Sequence, residues 1–177
     1  MRFPDIRRHL KAYSIVGGRT TTINGAFAAA IAPSDPFDAT RVREALMVLG
    51  QNPDTELICV YCEAGAETWD HVHATVKNKA FSGYGHRIGN LLPCCKQCNS
   101  KKGNKNWRVF LAHMKMTDAK CLEKESRITA YIEKYGAKDI IPEHLAEYQE
   151  LQQIRQQVLE LLAKADHLAA VVRSKSN

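Results

Sequence analysis

Cys59-Val60-Tyr61-Cys62 and Cys95-Lys96-Gln97-Cys98 decide the reading of this chain. Each is a Cys-x2-Cys knuckle, and 32 residues separate them. One knuckle lets two thiolates converge on a tetrahedral zinc; two knuckles supply the four ligands that close a structural site. Thiols stay reduced in a cytosolic chain, so paired spacings point to metal before disulfide. The expected zinc ligands are therefore Cys59, Cys62, Cys95 and Cys98. Cys94 breaks the x2 spacing and Cys121 is distant, so both read as spares, small residues suited to burial.

Charge follows the cysteines outward. Residues 59–110 hold eight Lys/Arg against three Asp/Glu, together with five of the six cysteines. Residues 1–58 hold seven against six, and residues 111–177 ten against ten. Nearly all of the net +6 thus sits beside the knuckles, the local field that a polyanion binder needs. An apolar fraction of 45% and a charged fraction of 25% are ordinary for a globular protein. No apolar run approaches the ~20 residues of a membrane-spanning helix. The start, Met1 to Arg8, lacks the apolar core of a signal peptide. A cytoplasmic protein without a membrane partner is expected.

Three stretches organise the chain: an N-terminal arm with accessory helices over 1–56, a core over 57–112 and a helical region over 113–177. The arm is basic (Arg2, Arg7, Arg8, Lys11, Arg19), turns at Gly17-Gly18, and carries a short helix over 23–32. Asp38 reads as the N-cap of a helix over 39–49, stopped by Gly50. Residues 57–60 read as a strand entering the first knuckle, 67–76 as extended chain, and 88–92 as a second strand. A helix starts near Cys98 or Asn99. Further helices span 119–135, ended by Gly136, and 142–172. In the last, Leu151, Ile154, Val158, Leu161, Ala165, Leu168 and Val172 alternate steps of three and four. That seam suits packing within the chain or pairing two copies as a homodimer.

Between the knuckles lie Thr68-Trp69-Asp70-His71-Val72-His73 and Gly89-Asn90-Leu91-Leu92, and Asn99 to Gly103 follow the second knuckle. The ordered set of cysteine pair, Asp-His, Asn-Leu, cysteine pair, Asn and Lys-Gly resembles the HNH endonucleases. These are nucleases of the ββα-metal class, here the subgroup braced by a four-cysteine zinc. The matching residues run from Cys59 to Gly103, about a quarter of the chain. The resemblance implies an α+β fold with a small ββα-metal core and a structural zinc. It implies His71 as general base, Asp70 and Asn99 as ligands of a catalytic Mg²⁺ or Mn²⁺, and Asn90 as the residue that pins the loop. The family usually has a proline two residues after the histidine; here the stretch reads Val72-His73-Ala74, which makes His73 a rival base or a phosphate contact.

The chemistry of the side chains is consistent with those roles. Histidine titrates near neutrality and can take a proton from water. Carboxylate and amide oxygens suit hard cations, whereas thiolates suit zinc. Asn99 is equally an ordinary helix cap, and Asn90 an ordinary turn residue. Lys96, Lys101, Lys102, Lys105 and Arg87 are expected to meet a nucleic-acid backbone. The sequence therefore reads as a metal-dependent DNA endonuclease, of restriction type or of a homing, phage or repair nicking type. A zinc-stabilised DNA-binding module without activity would need the same cysteines and lysines but not the Asp-His pair with Asn99.

Overall fold

The computed structural model describes residues 3–176; Arg2 of the basic arm and the side chain of Arg8 lie outside the described residues. The chain divides into two compact units. One joins Met1–Phe27 to Pro142–Asn177, and the other is Ala28–Ile141. The three stretches expected from sequence are thus cut differently. Both chain ends share a unit, and the helices flanking the core belong with the knuckles. Helices and two small sheets together make an α+β structure. Among the described residues no helix is long and apolar enough to cross a membrane.

In the first unit, helix α1 (Ile15–Ile31, which enters the second unit at Ala28) begins well before the expected residue 23 and runs through Gly17-Gly18. Its start is held by Asp166, whose carboxylate accepts from the backbone N–H of Ile15 at 2.6 Å and of Val16 at 3.1 Å. The Ser14 hydroxyl donates to the same carboxylate at 2.8 Å. An anion there satisfies the unpaired N–H groups of the first turn and complements the helix dipole. Asp166 belongs to α6 (Ala146–Ser176), and Arg155 one stretch earlier donates to Asn24 at 2.8 Å, so α1 and α6 run antiparallel. Along the apolar seam of α6, Leu151, Val158 and Ala165 are half-buried, while Ile154, Leu161, Leu168 and Val172 remain exposed.

The second unit carries the knuckles. Asp38 caps α2 (Ala39–Val48) by accepting from the Arg41 N–H at 3.0 Å, and Gly50 leaves the helix at φ +73°. Residues 57–60 form no strand, only an isolated bridge between Ile58 and Gly65. Strands β1 (Thr68–His71) and β4 (Leu91–Cys94) pair antiparallel, with Asp70 opposite Leu92 and His71 opposite Leu91. Between them β2 (Val76–Lys77) and β3 (Ala80–Phe81) make a tight hairpin. Its two central residues, Asn78 (φ 53°) and Lys79 (φ 67°), both take the left-handed conformation that a two-residue hairpin turn demands. The expected strand over 88–92 starts late, because Ile88–Asn90 form a 3₁₀ turn. Helices α3 (Lys96–Lys102), α4 (Trp107–Ala112) and α5 (Asp118–Tyr135) follow.

These elements close over one apolar core. Leu92, Trp107, Leu111 and Ile128 are fully buried, and Tyr61 meets Phe110 edge-on with ring centroids 5.1 Å apart. Tyr131 of α5 reaches through that core and donates to the carbonyl of Leu91 at 2.7 Å, and also contacts that of Ile88. The 3₁₀ turn presses so closely on the end of α5 that a Cβ on Gly89 would lie 2.2 Å from the Tyr135 carbonyl carbon. Backbone cannot retreat as a flexible side chain can, so Gly89→Ala is expected to cost at least ~1–3 kcal/mol, the range of overpacked cores. Thermal unfolding of the variant measures it; an unchanged midpoint would show that the turn and α5 are not in contact.

Candidate functional site

The Sγ atoms of Cys59, Cys62, Cys95 and Cys98 all lie within 4.8 Å of one another, with Cys62 and Cys95 at 3.6 Å. Four thiolates around one centre match tetrahedral zinc. The first knuckle turns through Glu63, at φ 66°, a costly conformation for a residue with a Cβ. Lys120 and Lys124 of α5 hold it there by ion pairs to its carboxylate at 2.5 Å and 2.9 Å. At the second knuckle, Cys95 also caps α3, its sulfur accepting from the Cys98 N–H at 3.4 Å. Cys94 is buried with its Sγ 3.8 Å from that of Cys59. The contact with Cys94 is the largest influence holding the Cys59 thiol below its ordinary value. Cys121 is half-buried and stands outside the cluster.

Adjacent residues of β1 point to opposite faces. Asp70 faces α3 and is 3% exposed, and Lys102 beside it is 1% exposed. The Lys102 ammonium donates to Asp70 at 3.1 Å and to the His71 carbonyl at 2.7 Å, while the Tyr61 hydroxyl donates to the other Asp70 oxygen at 2.8 Å. Burial pushes the Asp70 carboxyl upward, opposed by Lys102 and Tyr61. A divalent cation of the Mg²⁺ type keeps several waters when it binds. Asp70 has an ammonium in the cation position and no room for those waters, so this arrangement does not fit such an ion. Asn99 sits half-buried on α3, and no hydrogen bond among the described residues joins its side chain to Asp70.

His71, at the end of β1, is half-buried with its Nε2 at 3.0 Å from Nδ1 of His86. Burial first, then His86 and Lys102, hold its imidazole below the ordinary value, so it is neutral at neutral pH. Asn90 is buried and ties the following loop together. Its amide donates to the carbonyls of His73 at 3.1 Å and Gly85 at 3.0 Å, and its oxygen accepts from the His73 N–H at 2.8 Å. His73 stacks on Tyr84 with centroids 4.1 Å apart and lines a polar cleft of about 510 Å³.

The expected backbone-binding side chains separate. Lys101 and Lys105 are exposed, with the Lys105 ammonium on the Lys101 carbonyl at 2.5 Å. Lys96 pairs with Glu67 at 3.1 Å. Lys102 is spent on Asp70. Arg87 clamps Asp35 at 3.0 Å and Asp139, and so fixes the loop that carries His86. Sequence reasoning missed Tyr61 as a partner of Asp70 and His86 as a partner of His71. The Tyr61 signal was available, since it lies inside the first knuckle; that of His86 depends on a loop closure that spacing does not encode.

Compared with known proteins, the chain matches no family model, no curated sequence and no solved structure.

Two outcomes are expected of this site. One zinc per chain should appear by elemental analysis, be lost in Cys59→Ser and Cys98→Ser with unfolding of residues 28–141, and be kept in Cys121→Ser; folded, zinc-free protein would contradict it. Lys102→Met should destabilise by about 3–5 kcal/mol, because it strands a buried charge, and the double variant Asp70→Asn/Lys102→Met should recover much of that. Denaturant titration of the three proteins checks both values.

Proposed function

We propose that the chain is a nuclease of the HNH type that hydrolyses phosphodiester bonds of DNA. The observation that carries this reading is the position of His71. It ends a short β-strand paired antiparallel with β4, the Asp70 beside it faces α3, and the four-cysteine cluster ties the strand-to-helix connection. That is a ββα unit with a neutral imidazole at its mouth. His71 would take the proton of a water that attacks phosphorus. The P–O bond to the departing oxygen breaks, and that oxygen is protonated from solvent. His86 holds the Nε2 side of the ring, which leaves Nδ1 for the water. Lys102 anchors the His71 backbone through its carbonyl and does not reach outward. The Mg²⁺ or Mn²⁺ that the resemblance implies at Asp70 and Asn99 does not fit the closed Asp70 site. Asp70 is committed to Lys102 and Tyr61, so the proton chemistry described falls to the chain's own residues.

That commitment of Asp70 favours a second reading, a zinc-stabilised DNA-binding module in which the Asp-His pair is structural. Cleavage separates the two. Zinc-loaded protein on duplex DNA with Mg²⁺ present should cut, and His71→Ala should lower the rate ~10²–10⁴-fold with binding retained. Because the His71 imidazole lies below its ordinary value, the rate should hold as pH falls through about 6.5 and drop only below it. Binding without cutting by the intact protein would leave the module reading. A dead His73→Ala beside an active His71→Ala would move the base to the cleft-lining histidine.

A further inference from the structure

The polar cleft beside His73 is lined by cations and amides. Lys77 of β2, Lys105 of the loop after α3, and Lys138 beyond α5 line it together with Asn104 and Asn106. No carboxylate lines it among the described residues. None of its three lysines takes part in an ion pair among the described residues. Elsewhere Lys96, Lys102, Lys120 and Lys124 are each paired with a carboxylate. Gathering unpaired ammonium groups around one concavity costs self-repulsion and builds a local positive field, which an arriving anion relieves.

Three further features shape the cleft for an extended ligand. It is not an enclosed cavity, and its volume of about 510 Å³ exceeds what one phosphate needs. Its floor is rigid: His73 is clamped by the Tyr84 stack and by both backbone hydrogen bonds to Asn90. Its walls come from segments distant in sequence, the β2–β3 hairpin, the 104–106 loop and Lys138, which only the fold brings to one cleft. Three point charges beside a fixed floor, in a cleft larger than one phosphate, suit the phosphates of a backbone.

We propose that this cleft is a channel for the phosphate backbone of DNA, which it holds beside His73. The inference rests on the nucleic-acid part of the proposed function and holds for an enzyme or a binding module alike. It assigns the backbone contacts to Lys77, Lys105 and Lys138, with His73 as a contact on the floor.

Fluorescence anisotropy with a labelled duplex, titrated over a range of NaCl, tests it on the zinc-loaded full chain. Each lysine that meets a phosphate should contribute about tenfold in affinity near 0.1 M salt and about 0.9 to the slope of log K against log salt. The triple variant Lys77→Ala/Lys105→Ala/Lys138→Ala should therefore lose affinity about tenfold per lysine and flatten the slope by two to three, alike on unrelated sequences. Lys164→Ala on α6 should change neither, and zinc content should confirm that the variants fold. Inorganic phosphate at millimolar concentration should compete poorly; full displacement by it would mean a single-anion site and overturn the channel. Wild-type affinity and slope in the triple variant would overturn it, as would an intact protein that does not bind DNA at low salt. If the lysines matter but no strand is cut, the channel stands and the nuclease reading fails. If the intact protein cuts and the triple variant binds as well as the wild type, the reverse holds.

Discussion

Four sulfurs drawn to one centre are the constraint on which the site depends. Strands β1 and β4 are four residues each, and a two-stranded hairpin of that size has little stability of its own in water. The cysteine cluster replaces missing core by joining the turn before β1 to the first residues of α3. The first knuckle has support from outside the cluster: Lys120 and Lys124 hold its strained turn through Glu63, and Cys94 lies against Cys59, while in the second Cys95 also caps α3. Such surrounding contacts orient metal ligands and set their basicity.

Once α3 is fixed against β1, Lys102 becomes buried and must find a charge. Asp70 supplies it, and a second donor of the ammonium locks the carbonyl of His71. Burying such a pair gives little net stability, but either member alone would be strongly destabilising. Its effect is therefore on geometry: the pair fixes which residue of β1 faces the helix and which faces outward. The same alternation puts Trp69 and His71 on the face away from Lys102. Asn90 then controls the loop beyond the strand, and Arg87 controls the loop that brings His86 to His71. The imidazole pair is positioned by three buried or half-buried polar anchors, Lys102 from α3 and Arg87 and Asn90 from the 3₁₀ turn before β4.

Much of this was legible locally. The two knuckles gave the cluster because their spacing is itself the chemistry, and Asp38, Gly50 and Gly136 marked helix ends because caps and stops act within one turn. What could not be read depended on contacts across long stretches of chain. The start of α1 is set by Asp166, about 150 residues away, so Gly17-Gly18 looked like a turn. Lys102 read as one more contact to a nucleic-acid backbone, since periodicity does not reveal that a buried carboxylate faces it. Lys77 and Lys138 carried no motif, and only the fold brings them to one cleft. The β2–β3 hairpin was missed because its turn uses Asn78-Lys79 where glycine is the usual second residue. The expected partnership of Asp70 with Asn99 assumed an open carboxylate, and the competing ammonium of Lys102 was the information missing from the motif.

The dependence of this site on its sulfur cluster is most directly tested by X-ray absorption at the zinc edge of the purified, zinc-loaded chain. A single shell of four sulfur scatterers at about 2.3 Å is expected, with no nitrogen or oxygen ligand. A mixed shell that includes imidazole or carboxylate, or fewer than four sulfurs, would contradict it.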